Sequence, residues 1–164
     1  EIEFAKNEDE STDQTKVEIT LPEGFVKAND DKAIFRVNAV QTLDNKVSNQ
    51  FSDLITVLDN TAPEVVSIVA TDLKEITVTY SEAIELLEEE AVITDITDEI
   101  ALVDDKGASI SFTDVKVVEG KLVLSVADAT KVKSLSTLTV ADVANANIVD
   151  VNGVAQKAGL TVSK

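Results

Sequence analysis

The chain has 164 residues, 14 Lys and Arg against 31 Asp and Glu, and a net charge of −17. It has no His, Cys, Met or Trp, which excludes disulfides, thiolate and imidazole metal centres, and nucleophilic machineries built on Cys–His or Ser–His–Asp. Oxygen ligands remain, the donor set of Ca2+ or Mg2+. The acidic excess argues against nucleic acid and anionic membrane as partners.

At 44% hydrophobic and 27% charged residues the composition is that of a globular chain able to bury a core in one or two domains. Glu1-Ile2-Glu3-Phe4 already alternates like a strand and lacks an initiator Met, so the reading is of a piece of a longer or processed polypeptide. No apolar run approaches the roughly 20 residues of a membrane-spanning helix, so no membrane insertion is expected.

In chain order, two-residue alternation marks strands at 17–21, 33–40, 75–81, 109–113, 121–126 and 137–140, and further strands are read at 54–58, 65–70 and 160–162. Pro22-Glu23-Gly24, Asp44-Asn45, Asp104-Asp105-Lys106-Gly107, Glu119-Gly120 and Asn152-Gly153 are the turns between them. Near residues 82–92, Ile84, Leu87 and Ala91 fall at helical spacing among glutamates, which predicts a short helix or compact loop. The class is all-β, and strands every 8–12 residues point to an antiparallel sandwich.

Leu58-Asp59-Asn60-Thr61-Ala62-Pro63 is the expected boundary, since its Pro cannot sit in a central strand. Asp44-Asn45-Lys46-Val47 before one strand resembles Asp150-Val151-Asn152-Gly153 before another, about one sandwich length later. Residues 61–164 then form a complete module. Residues 1–60 are either the C-terminal part of a first module or a small module of their own.

No catalytic constellation emerges, and the expectation is that the chain is not an enzyme. Asp95-Ile96-Thr97-Asp98 and Asp104-Asp105 lack the Gly that an aspartic dyad expects, and five scattered Gly build no phosphate loop. Five Phe and one Tyr are few for a sugar-binding cleft. The stretch around Asp150 is not an EF-hand loop, because Ile148 and Gly159 stand at ligand positions.

Asp59-Asn60-Thr61-Ala62-Pro63-Glu64-Val65, Ile76-Thr77-Val78-Thr79-Tyr80-Ser81-Glu82-Ala83 and Val149-Asp150-Val151-Asn152-Gly153 together resemble the bacterial Ig-like modules of Bacillus-type surface-layer (S-layer) proteins. The resemblance covers most of 59–164 and implies tandem immunoglobulin-like antiparallel β-sandwich modules. It further implies a structural segment of a secreted bacterial surface protein, whose copies and neighbouring modules tile into a self-assembling lattice. Ca2+ often supports such assembly, and cell-wall attachment would lie in another part of the parent chain. The alternative is an Ig-like spacer or adhesion module of another cell-surface protein or secreted hydrolase. An up-and-down strand count brings Asp30, Asp31, Asp59, Glu82, Asp150 and Asn152 towards one seam between modules, where Ca2+ would relieve carboxylate repulsion.

Overall fold

Alternation becomes antiparallel pairing throughout the computed structural model, which describes residues 1–27, 32–42, 44–87 and 93–164. The chain divides into two units, Glu1–Thr61 and Ala62–Lys164.

One turn recurs and sets the hairpin registers. At Asn7–Ser11, Thr42–Lys46, Asp104–Ala108 and Asp150–Val154, the first residue's N–H donates to the fifth carbonyl, and the fourth N–H returns to the first carbonyl. The fourth residue sits at positive φ each time: Glu10 (64°), Asn45 (62°), Gly107 (79°) and Gly153 (82°). This is the three-residue hairpin loop closed by a left-handed residue, whose twist matches that of the strands it joins. The first residue's side chain reinforces three of these turns. Thr42 Oγ1 accepts from the Lys46 N–H, Asp104 Oδ1 from Lys106 and Ala108, and Asp150 Oδ1 from Asn152 and Val154. The sequence repeat therefore aligns Thr42 with Asp150 and Asp44 with Asn152, two residues off the register read from the sequence.

The first unit consists of two hairpins, β1 (Ile2–Lys6) with β2 (Thr12–Ile19) and β3 (Lys32–Val37) with β4 (Phe51–Thr56). Cross-strand pairs Ile2↔Ile19 and Phe4↔Val17 put four apolar side chains on one face, all exposed. Its order comes from hydrogen bonds rather than burial. Asn60 Oδ1 accepts from the Val26 N–H, Asn60 Nδ2 donates to the Pro22 carbonyl, and Thr61 Oγ1 donates to the Val26 carbonyl. The Gly24 N–H donates to the Asn60 carbonyl. Asn60 and Thr61, read from the sequence as linker, are thus fixed to the loop at 22–26.

The second unit has two four-stranded sheets. One runs β10 (Asp114–Val118), β11 (Lys121–Ser125), β6 (Glu75–Tyr80), β5 (Val65–Ala70). The other runs β14 (Thr161–Ser163), β12 (Leu135–Val140), β8 (Ile100–Asp104), β9 (Ser109–Ile110). Ile76, Val78, Leu122 and Leu124 from the first meet Ile100, Leu102, Leu138 and Val140 from the second in one buried cluster. Tyr80 and Phe112, which the sequence reading places inside, are buried there. A third pairing, β7 (Ile84–Leu86) with β13 (Ile148–Asp150), inserts Ile84 and Ile148 into the same cluster. Helices α1 (Ile93–Glu99) and α2 (Ala129–Ser134) each lead into a strand, and Asp128 caps α2 by accepting from the Thr130 N–H.

The helix expected near 82–92 is corrected in its described part. Ile84–Leu86 is a strand paired with Ile148–Asp150, and the helix begins at Ile93, while 88–92 lie outside the described residues. Burial of Ile84 against the core and a partner strand outweighs a weak helical period. Gly120 allows this approach. Its φ is +71°, and a Cβ there would lie 2.7 Å from the Ala83 Cβ.

The difference between the units is measurable. Leu138→Ala, at a fully buried site, is expected to cost about 2–5 kcal/mol. Ile34→Ala, at a position 68% exposed, should stay within about 0.5 kcal/mol. Urea titrations of both variants check this, and equal losses would refute a core confined to the second unit.

Candidate functional site at the acidic end of the second unit

The second unit carries 18 Asp and Glu against 8 Lys, and topology sorts them. The turns after β5 and β8, together with α2, define one end. Linked there are Val126 N–H to Lys74 carbonyl, Asp105 N–H to Ser134 carbonyl, and Lys164 N–H to Ser136 carbonyl. Six lysines (Lys74, Lys106, Lys116, Lys131, Lys133, Lys164) fall at this end, matched by six acids. Two of these pairs are ion pairs, Lys116–Glu75 and Lys131–Asp104. The Ala108 N–H, then Lys131, hold the Asp104 carboxyl below the ordinary carboxylate value.

At the opposite end, nine acids among the described residues meet only Lys121 and Lys157. The net charge of the unit therefore sits at one end. Topology brings it there: β6 finishes at Tyr80, α1 feeds β8, and the β7–β13 pair closes over the same edge.

Within this end Glu82 and Asp150 have carboxylate oxygens within 4.8 Å of each other. Asp150 is 1% exposed. Its Oδ1 serves the turn described above, while Oδ2 faces Asn152 Nδ2 at 3.4 Å. Asn152 enters this arrangement through its N–H and amide, both directed at Asp150. Asp59 belongs to the first unit and is buried; Oδ1 accepts from the Thr61 N–H, and Oδ2 has no hydrogen-bond partner among the described residues. Asp30 and Asp31 lie outside the described residues.

A second carboxylate here escaped the sequence reading. Glu99 is 1% exposed, and its carboxylate is held by N–H donors. Its Oε1 accepts from the Asn147 N–H, and its Oε2 accepts from the Ile148 N–H at 3.2 Å and from Gln156 Nε2 at 3.0 Å. Gln156 Oε1 in turn accepts from the Tyr80 hydroxyl at 2.9 Å. A buried carboxylate satisfied by N–H donors is electrostatically tolerable where an unpartnered one is not. The signal available in sequence was faint: an acid at the end of a short helical stretch, followed directly by an apolar strand.

The carboxylate oxygens that converge here are the donor type that suits Ca2+. Glu82 and Asp150 would supply two carboxylates of the 6–8 oxygens such an ion takes. No protein-family model matches the chain, and neither curated proteins nor solved structures include a match. Among the described residues no helix is long and apolar enough to cross a membrane.

Tyr80 gives this end an optical readout, because it is the single tyrosine of the chain. Burial, and then the Glu99 charge, push its hydroxyl above its ordinary value of 10.0. A folded value above the unfolded one means stability is complete below pH 10 and falls as pH rises past it. Ultraviolet titration of the folded chain should thus show no phenolate until well above pH 10, and Glu99→Gln should lower that onset. A midpoint at the ordinary value would place Tyr80 in water.

Proposed function

We infer that this chain is a structural segment of a secreted bacterial surface protein, built from Ig-like sandwich modules that self-assemble with further copies. The observation that carries the reading is the second unit's construction: two four-stranded antiparallel sheets around one apolar cluster, with turns closed by their own side chains. Its polar interior, Glu99 with Gln156 and Tyr80, is joined by internal hydrogen bonds that tie the strands together. Further support comes from the position of the unit boundary, at the Asp59-Asn60-Thr61-Ala62-Pro63 stretch on which the S-layer resemblance rests. In this reading the chain acts as a tiling element. Attachment to the cell wall belongs to another part of the parent chain.

Ca2+ is the cofactor this reading takes up. Glu82 and Asp150 would hold it, and the ion would offset the repulsion that nine acids concentrate at one end. An ion bound only by the folded state, at tenfold over its Kd, stabilises by about 1.4 kcal/mol, which is roughly 5 °C or more in melting temperature for a unit of this size.

Two measurements on the full chain test the proposal. Calorimetric titration with Ca2+ should give heat and a raised melting temperature that Glu82→Gln and Asp150→Asn remove. Asp59→Asn probes the first unit's buried carboxylate separately. Negative-stain electron microscopy in millimolar Ca2+ should show periodic sheets. A chain that ignores Ca2+ loses the cation part of the proposal, and one that forms no periodic assembly loses the structural part.

A further inference from the structure

The sheet β14–β12–β8–β9 has one face in the core and one outside. Leu138, Leu102 and Val162 point inward. The alternate positions, Thr161 and Ser163, Thr139 and Thr137, Ala101 and Val103, form the outward face in two rows across three strands. None is charged, in a unit where 26 of the residues are ionisable acids or lysines. The outward face of the other sheet is different, since Glu75, Lys116 and Lys121 stand on it.

This distribution selects a partner. Two copies of a chain of net charge −17 repel wherever their carboxylates approach, so contact between copies is least opposed where a face has no charge. The short side chains of Thr, Ser, Ala and Val also let two sheets approach to the usual ~10 Å spacing. The ends then fix the orientation. A two-fold axis along the strands would stack two acidic ends. An axis across the strands sets the acidic end of one copy beside the lysine-bearing end of the other.

We propose that this outward face is a self-association surface that seats on the same face of a second copy with the strands of the two copies antiparallel. The proposal rests on the self-assembly reading above and names the surface that performs it. The 16 residues of the four strands, about 3.3 Å apart along strands spaced about 4.8 Å, cover roughly 250 Å2 per copy, well short of the ~800 Å2 per partner of a stable complex. The contact is therefore weak singly and holds where many act in parallel, as in a lattice.

The absence of cysteine from the native chain makes the test clean. In the antiparallel arrangement Thr139 of one copy lies over Thr137 of the other, whereas in the parallel arrangement, with the axis on the sheet's midline between β12 and β8, Thr139 lies over Ala101. Full-length chains carrying Thr139→Cys and Thr137→Cys are mixed at near-millimolar concentration and treated with a short thiol cross-linker. Their mixed dimer should exceed that of a Val69→Cys control, on the opposite sheet, at least fivefold, and should exceed the Thr139→Cys with Ala101→Cys pair. Ala101→Glu added to both partners should cut the yield about tenfold, with circular dichroism unchanged. Cross-linking at control level, or preference for the Thr139–Ala101 pair, overturns the proposal. If Ca2+-grown sheets form equally well with Ala101→Glu, the face is wrong while self-assembly stands. If no variant or native chain forms sheets yet the mixed dimer appears as described, the face stands and the lattice reading fails.

Discussion

The second unit depends on one buried carboxylate. Glu99 ends α1, and its carbonyl receives the Ala141 N–H as the chain leaves β12. Its side chain receives the N–H groups of Asn147 and Ile148, where the chain enters β13, and the amide of Gln156 beyond the following turn. One residue thus ties four segments together, and through Gln156 it reaches Tyr80 on β6. A carboxylate in the last turn of a helix opposes the helix dipole. The three N–H donors offset that cost, and their own need for an acceptor is met at the same time. Replacing Glu99 by an apolar residue would leave those donors buried and unpaired, a heavier loss than the removal of an ordinary surface acid.

What Glu99 holds in place is the position of the other charges. With β13 fixed, Asp150 is set at the edge of the core beside Glu82, and the turn that follows returns the chain to Gln156. The lysines collect at the far end, where α2 and the β8–β9 turn pair with nearby acids. A module with its excess charge at one end and a bare uncharged sheet face has a built-in direction. In the proposed assembly such a body would pack against copies of itself in few orientations.

Much of this was legible in the sequence. The alternation of 75–81, the turn residues and the boundary at Asp59 to Pro63 rest on local chemistry that sequence displays directly. Asp150 and Glu82 could be placed at one end because strand counting fixes direction even when registers are unknown. The misses have common physical causes. Residues 84–86 read as a short helix or compact loop because three residues carry too little period to declare a strand, and their partner lies more than sixty positions away. Glu99 was invisible because a buried acid is recognisable only through its donors, all distant in sequence. Asn60 and Thr61 read as linker because their hydrogen bonds to Pro22 and Val26 cross more than thirty residues. The repeat slipped by two because the conserved geometry belongs to the hydrogen-bond pattern, with Thr42 filling the role of Asp150.

The claim that the acidic end is organised from within, by Glu99, is tested most directly by native-state hydrogen exchange of the Asn147 and Ile148 amides. Those N–H groups lie outside regular sheet pairing except for the first residue of β13, so without the carboxylate they have little reason for protection. The account predicts exchange as slow as that of core amides such as Ile76 and Leu124, and a large loss of protection at both amides in Glu99→Ala. Exchange in the native chain at the rate of the exposed turn at 151–153 would contradict it.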